Sequence, residues 1–433
     1  MNAKGMILYG AGQLGIMLLT RYFFQWVIRF ADVGKETGNG PLFAAGIVGA
    51  LFFAFRIFDA VTDPVAGDLG DRWVAAGRER RTLLWMALLI PATGLILVFA
   101  PHAAMSPLVR WTLLFSGMLA FFTGYTLYAI PYWSLLEDYS QGNERTRTSL
   151  SNVLGLGILV ATGIGFIVSP LLVDRLGFFK GSVVFGLVGT VLMALPYFAS
   201  PKNVVVKVPQ TRPKITRSLV ASLSHSRFVA VVLLFAGAHM SLTIMTAAAP
   251  YIAERLLNGK LSDVALLLGP FLATAVFTFA LVPRFSRKYG WEKATLVGAV
   301  VLSLAYIGAG LLGKGIIGSP LQTAMIVFAI AGPGSAFILG LEGEAVARCA
   351  QRSTYKSTGM YFGVYNLIVK GLNGLSLFIT GLLASEGSLL AIRAMPILAG
   401  VLSVAGVVVY VLAKKTDPDD TTTELSQAAT PAS

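Results

Sequence analysis

The chain has 433 residues, of which 55% are hydrophobic and only 13% are charged. Apolar runs close to the roughly 20 residues that cross a bilayer as a helix recur along it, which indicates a multi-pass membrane protein. The formal net charge is +13, but the basic residues are scattered through short connections without interleaved aromatic side chains, so we expect no nucleic-acid partner.

Cysteine and histidine usage excludes two further kinds of site. A single cysteine, Cys349, rules out an internal disulfide. His102, His225 and His239 have neither HExxH spacing nor neighbouring cysteines, so no zinc site is predicted. The intramembrane acids lack an accompanying nucleophile and base. We therefore expect no cofactor and no enzymatic activity.

Hydropathy predicts an all-α membrane protein with twelve spanning helices in two sets of six. The predicted spans are 6–30, 42–68, 83–100, 109–136, 147–172, 180–200, 228–252, 262–282, 293–313, 320–345, 358–384 and 389–413. They define an N-terminal bundle over 1–200, a basic linker over 201–227, a C-terminal bundle over 228–413 and a disordered tail over 414–433. Most of the 34 lysines and arginines fall in the even-numbered connections, the linker and the ends of the chain. The positive-inside rule then predicts that both termini are cytoplasmic.

The second predicted helix carries three charges on one face. At about 100° per residue, Arg56, Asp59 and Asp63 fall within an arc of roughly 60°. A charge at mid-bilayer costs at least about 2.5 kcal/mol on insertion scales, so this face is expected to line a wet cavity. Carboxylates and hydroxyls are ligands for a hard cation. Asp59, Thr62 and Asp63, with Thr126 on the fourth helix, are therefore the predicted cation-binding residues.

Two alternatives stay open for this face. A buried structural ion pair between Arg56 and one aspartate would account for two of the charges without a bound ion. A close pair of carboxylates also shares a proton readily, so the pair could bind H⁺ instead of Na⁺ at Asp59 and Asp63. The coupling ion is left as Na⁺ or H⁺.

Four stretches carry a family resemblance. Gly67–Arg72 is similar to the loop between helices two and three of the major facilitator superfamily. Arg56–Pro64 resembles the second-helix motif of the glycoside-pentoside-hexuronide:cation symporters within that superfamily. Tyr125–Leu135 resembles the fourth helix of that family, and Gly359–Lys370 resembles its eleventh helix. Because these motifs lie in both halves, the resemblance covers essentially the whole chain.

The resemblance implies a major facilitator fold, with two pseudo-symmetric bundles that rock about a central site. It implies cation-coupled symport of a sugar, glycoside or uronide-like small molecule, with the cation held between helices two and four and Lys370 close to both sites. A bacterial cytoplasmic (inner) membrane protein that functions as a monomer is the matching expectation. Eukaryotic lysolipid carriers share the second-helix pattern, so a lysophospholipid or another amphipathic anion is the alternative substrate.

The first helix departs from the sugar carriers of this family. Where those carriers tend to have acids or an arginine, this chain has Gln13 or Met17, Ala129 and Asn152. Loss of the acids with retention of Arg21 favours a substrate that carries a carboxylate or phosphate, or a large apolar part; a helix–helix contact is the alternative role for Arg21. The predicted substrate-binding residues are Gln13, Met17, Arg21, Ala129, Trp133, Asn152 and Lys370.

Charges in the connections are predicted to act as gates. Asp71 with Arg72, and Glu144 with Arg145 and Arg147, are expected to form salt bridges between the bundles, with ordinary solvated loop charges as the alternative. Glu344 falls where the family usually has an aspartate and is a candidate partner for Lys370. The predicted gating and coupling residues are Arg56, Asp71, Arg72, Glu144, Arg145, Arg147 and Glu344.

Overall fold

The computed structural model of the chain describes residues 3–34, 40–141, 143–199, 223–224, 226–313, 318–352 and 358–415. Within these ranges all regular structure is helical, and no strand occurs. The basic linker up to residue 222 and the tail from residue 416 lie outside the described residues. The predictions made for the linker and the tail stay predictions.

The described residues of the first half form seven α-helices. They are α1 (Ala3–Ala31), α2 (Ala45–Ala75), α3 (Thr82–Ala87), α4 (Ile90–Phe99), α5 (Pro107–Ser140), α6 (Glu144–Gly163) and α7 (Ser169–Ala194). A π-helical turn, Ile164–Val168, joins α6 to α7. Inside α7 the backbone of Gly177 has φ 77° and ψ 170°, a conformation that glycine adopts without a steric penalty. The break at Gly177 separates the predicted fifth and sixth spans.

From residue 226 onwards, the part of the chain that the structure describes forms seven more α-helices. They are α8 (Ser226–Tyr251), α9 (Val264–Phe279), α10 (Val282–Tyr289), α11 (Trp291–Ala309), α12 (Pro320–Arg352), α13 (Thr358–Glu386) and α14 (Leu389–Lys415). A π-helical turn, Ile252–Leu256, continues α8. The short helix α10 lies in a connection and has basic residues in its last turn.

Ten helical stretches of the described chain are long and apolar enough to cross a membrane. One of them, 145–199, runs through the break at Gly177 and so contains two predicted spans. The 29-residue helix α1 is long enough to span a bilayer but less apolar than those ten. Counting α1 and dividing 145–199 at Gly177 gives the twelve predicted spans.

The chain divides into two compact units that do not follow the two halves of the sequence. The first unit comprises Met1–Thr211, Thr246–Gly269 and Gly374–Ile392, and the second comprises Arg212–Met245, Pro270–Asn373 and Arg393–Ser433. The first unit therefore contains the end of α8 and the second part of α13 together with α1 to α7. The boundaries at residues 200 and 228 stay predictions.

Aromatic side chains and glycines hold the first unit together. The ring of Phe23 on α1 lies 4.5 Å from that of Phe121 on α5 and 5.4 Å from that of Phe52 on α2. A Cβ at Gly381 of α13 would lie 2.4 Å from the carbonyl oxygen of Ala45 on α2. Small residues of this kind let membrane helices approach at backbone distance. The second unit has a smaller apolar cluster that includes Val282, Ala294, Ala336 and Leu341.

Candidate functional site

The predicted cation-site residues of α2 and α5 meet in the first unit. Asp59 is 0% exposed, and its Oδ1 accepts a 2.7 Å hydrogen bond from the Thr126 hydroxyl. The same hydroxyl oxygen lies 3.5 Å from Oδ1 of Asp63, one turn further along α2. Thr126 therefore stands between the two carboxylates, and Asp63 is the more accessible of the pair because it is only half-buried.

The hydroxyls beside these carboxylates have the chemistry of cation ligands. Thr62 is half-buried, and its hydroxyl donates to the backbone carbonyl oxygen of Phe58 at 2.9 Å. Since Thr62 and Thr126 each donate their single hydroxyl proton, lone pairs on both oxygens remain for a cation. The resulting set is entirely oxygen, as Na⁺ requires. Among the described residues, no group of three or more His, Cys, Asp or Glu side chains could hold a metal ion.

Arg56 forms the structural ion pair that the sequence left open. Its Nη1 lies 2.7 Å from Oδ2 of Asp59, and the two side chains are 8% and 0% exposed. The guanidinium also lies 5.2 Å from the ring centroid of Phe24. A Cβ at Gly374 of α13 would lie only 2.8 Å from the Cβ of Arg56. Arg56 thus neutralises Asp59 at the point where α13 approaches α2.

A second group of polar residues joins α1 to α5. The indole N–H of Trp133 donates to Oε1 of Gln13 at 2.7 Å. The backbone N–H of Gln13 donates to the Tyr132 hydroxyl at 3.0 Å. Ala129 is fully buried one turn before Trp133. The structure thus brings together two of the predicted substrate residues, Gln13 and Trp133.

Arg21 lies two turns beyond Gln13 on α1. Its guanidinium carbon stands 6.0 Å from the ring centroid of Phe166 in the π-helical turn, and its buried Nε has no hydrogen-bond partner among the described residues. Tyr125, which was not predicted from the sequence as a site residue, precedes Thr126 on α5 and is buried. Its ring lies 6.3 Å from that of Trp133.

The other predicted substrate residues are dispersed. Met17 is half-buried on α1, and Asn152 is exposed on α6. Lys370, on α13, belongs to the second unit and is half-buried.

The charged residues in the last turns of α2 have partners within the first unit. Arg72 bonds to Asp68 at 2.7 Å, with side chains 80% and 50% exposed. Asp71 instead accepts from Arg80 at 3.0 Å, and Arg80 also donates to Asp138 of α5 at 3.0 Å. Asp71 and Arg72 therefore each have a partner within the first unit, and their predicted role in a gate between the bundles stays a prediction. Arg80, which the sequence analysis did not single out, is the buried residue that ties α2 to α5.

The remaining predicted gating residues also have local partners. Arg147 pairs with Glu137 on α5, with its Nε 2.9 Å from Oε1. The side chain of Glu144 lies outside the described residues, and Arg145 is exposed. Glu344 pairs with Arg348 one turn along α12 at 2.7 Å. These contacts lie within one unit each, so the predicted gate between bundles stays a prediction.

Two clusters of polar residues were not predicted from the sequence. In the second unit, Nε2 of His239 on α8 lies 2.6 Å from Oε2 of Glu342 on α12. In the first unit, Nε of Arg29 at the end of α1 lies 2.6 Å from Oε2 of Glu254 in the π-helical turn after α8. Both clusters contain an ionisable residue inside an apolar span, which is by itself a signal of function. That signal could have identified His239 and Glu342 from the sequence.

The chain matches one family model and several curated transporters. The model described as "MFS/sugar transport protein" matches residues 1–414. YagG of Escherichia coli (strain K12), named as a glycoside/cation symporter, is 25% identical over 193 residues, which is 43% of this chain and 41% of that protein. YjmB of Bacillus subtilis (strain 168), named an uncharacterized symporter, is 21% identical over 267 residues, covering 59% of this chain and 56% of that protein. The matched segments thus span only about half of these relatives.

Solved structures resemble the chain over nearly its full length. An auto-inhibited POT family peptide transporter superposes with a TM-score of 0.71 at 12% identity, covering 95% of this chain and 97% of that one. A bacterial homologue of the human lysosomal transporter Spinster gives a TM-score of 0.67 at 16% identity, covering 95% and 96%. Identities this low report on the fold alone. They confirm the predicted all-α major facilitator fold.

Proposed function

The chain belongs to the MFS/sugar transport protein family, and from this premise we propose that it is a symporter driven by Na⁺ or H⁺. It is a multi-pass membrane transporter of a small molecule and not an enzyme. The solute in our proposal is a sugar, glycoside or uronide-like molecule, carried by alternating access. The name of the E. coli relative, a glycoside/cation symporter, supports this solute class.

The observation that carries the proposal is the placement of the Thr126 hydroxyl between the carboxylates of Asp59 and Asp63. A cation that enters from water meets Asp63 first, because Asp63 is half-buried whereas Asp59 is fully buried and bonded to Arg56. Hydroxyl lone pairs of Thr62 and Thr126 would complete its ligands. For H⁺, the same carboxylate would take the proton.

We assign substrate recognition to Gln13 and Arg21 on α1 and to Trp133 on α5. The Trp133 indole is held by its hydrogen bond to Gln13 and offers a flat apolar face to a sugar ring. The unpartnered Nε of Arg21 is suited to a carboxylate, because charge-assisted hydrogen bonds to guanidinium groups are strong and directional.

Proteoliposome uptake tests the symport mechanism. We expect wild-type protein to accumulate a labelled uronide or glycoside only when a Na⁺ or H⁺ gradient is imposed. Asp63→Cys should abolish accumulation, because it removes the accessible carboxylate. Asp174→Asn, which changes an exposed acid outside the site, is the matched control and should accumulate normally. Uptake that ignores both gradients, or full accumulation by Asp63→Cys, would overturn the proposal.

We also propose that both termini are cytoplasmic in a bacterial inner membrane and that one chain is sufficient for transport. The basic connections support the orientation through the positive-inside rule. Terminal reporter fusions active only on the periplasmic side would contradict the orientation.

A further inference from the structure

A histidine, a glutamate and a tyrosine from three helices meet in the second unit. Nε2 of His239 on α8 lies 2.6 Å from Oε2 of Glu342 on α12. The hydroxyl of Tyr365 on α13 donates to the same Oε2 at 3.0 Å. The side chains of His239 and Glu342 are 20% and 28% exposed, whereas Tyr365 is buried. The side chains of His239 and Glu342 are therefore partly exposed, neither fully buried nor fully accessible.

The short contact requires a proton between the two groups. A carboxylate oxygen and an unprotonated ring nitrogen are both acceptors, so a 2.6 Å separation requires one proton between them. If that proton is on Nε2 of a neutral imidazole, Nδ1 is left as the acceptor for a second proton. A second proton would convert a carboxylate beside a neutral ring into an imidazolium–carboxylate pair, which carries no net charge.

The surroundings favour this second protonation. His239 and Glu342 both lie in stretches apolar and long enough to cross a membrane, where an uncompensated charge is costly. On the opposite side of α8, Gly237 packs against the backbone of Leu402 on α14, and no titratable group is part of that contact. In the described part of the chain, Glu342 contacts His239 and Tyr365 contacts Glu342.

The helices that carry Tyr365 and Glu342 also carry the charged residues Lys370 and Glu344. Lys370 follows Tyr365 by more than one turn of α13. Glu344 is paired with Arg348 on α12. On the next turn of α8, the hydroxyl of Thr243 donates to Oδ1 of Asn373 at 3.1 Å, so the face of α8 that carries His239 continues with neutral polar groups.

We propose that His239 and Glu342 form a proton-binding site at membrane depth, separate from the Asp59–Asp63 site, which takes one proton from water and returns it during the transport cycle. The coupling to transport rests on the proposed function, whereas the binding of the proton does not. Tyr365 holds the carboxylate in place. The site makes the second unit sensitive to pH. This sensitivity is additional to the binding of the coupling cation in the first unit.

Histidine-selective ¹⁵N NMR of the full-length protein in nanodiscs measures the proton directly. With the three histidines assigned by single His→Gln variants, we expect the His239 signal to change from that of a neutral ring to that of an imidazolium as the pH is lowered. In Glu342→Gln the proton affinity of His239 should fall roughly tenfold or more, because the opposite charge that favours imidazolium is gone. The exposed His102 is the internal control and should not shift.

A second variant protects the test against a misfolded Glu342→Gln protein. Tyr365→Phe removes a donor that stabilises the carboxylate, so the proton affinity of the pair should rise, opposite in sign to the change in Glu342→Gln. A His239 signal that responds to pH equally in the wild type and both variants, or that does not respond to pH at all, would overturn the site.

Uptake assays then separate the site from the transport mechanism. The pH dependence of solute uptake should follow the His239 titration in the wild type and flatten in His239→Gln. Unchanged pH dependence in His239→Gln would overturn the coupling. If the wild type transports nothing, the proposed function fails, while the NMR titration still decides whether the pair binds a proton.

Discussion

The contact between the end of α1 and the π-helical turn after α8 gives a sharp prediction about opening. Arg29 donates to both carboxylate oxygens of Glu254, at 2.6 and 3.1 Å. Beside it, the hydroxyl of Tyr251 donates to Oδ2 of Asp32 at 3.1 Å. Alternating access in this fold requires the two sequence halves to separate on one side of the membrane in turn. We therefore expect this cluster to hold one side closed.

The magnitude follows from burial. The side chains of Arg29 and Glu254 are only 8% and 15% exposed. Removal of one partner from a buried pair costs about 3–5 kcal/mol, because the other charge stays uncompensated. At about 1.4 kcal/mol per tenfold change, the ratio of closed to open protein falls roughly 100- to 3,000-fold. Glu254→Gln keeps an acceptor oxygen, so we expect the lower end of this range.

Cysteine alkylation measures the opening. The only native cysteine, Cys349, is replaced by serine, and a single cysteine is introduced at Ile28, whose backbone carbonyl accepts from Tyr251. Ile28 is fully buried in the closed arrangement, so the alkylation rate reports the open population. We expect Glu254→Gln to increase this rate roughly 100-fold.

Two controls make the result specific. Glu79→Gln breaks the exposed Glu79–Arg81 pair and should change the rate less than about fivefold, since exposed pairs contribute about 0.2–1 kcal/mol. The double variant Arg29→Gln with Glu254→Gln removes both charges and should return the rate towards that of the wild type. An unchanged rate in Glu254→Gln, or a double variant as open as the single one, would refute the reasoning.

Two further predictions concern folding and are measured by thermal unfolding in detergent. Arg80→Gln should be destabilising by about 3–5 kcal/mol, because it leaves two buried carboxylates uncompensated. The matched change Arg72→Gln, at an exposed residue, should cost less than about 1 kcal/mol. Equal effects of the two changes would contradict the role of Arg80. Gly381→Ala should cost about 1–3 kcal/mol through its clash with the α2 backbone. Gly363→Ala, on the same helix with no atom near the added carbon, should be neutral or stabilising. Unchanged stability of Gly381→Ala would show that α2 and α13 are farther apart than the structure places them.

The ion pairs show which contacts could be predicted from the sequence and which could not. The sequence placed Arg56, Asp59 and Asp63 on one face correctly, since that depends only on the helical repeat. It also suggested that Arg56 could pair with an aspartate, and the structure selects Asp59. For Asp71, however, the nearest basic residue in the sequence was not its partner. The partner is Arg80, nine residues later and beyond a turn.

The sequence by itself determined the membrane class, the twelve spans, and the acid-bearing face of α2, because hydropathy and helical periodicity are local properties. Only the tertiary structure decided that Thr126 lies between the two aspartates, that Arg80 bridges α2 to α5, and that His239 meets Glu342. The rotation and close approach of each helix set these contacts, and they result from packing at positions distant in the chain. Gly381 against Ala45 is one such approach, and no local pattern encodes which helix will be the neighbour.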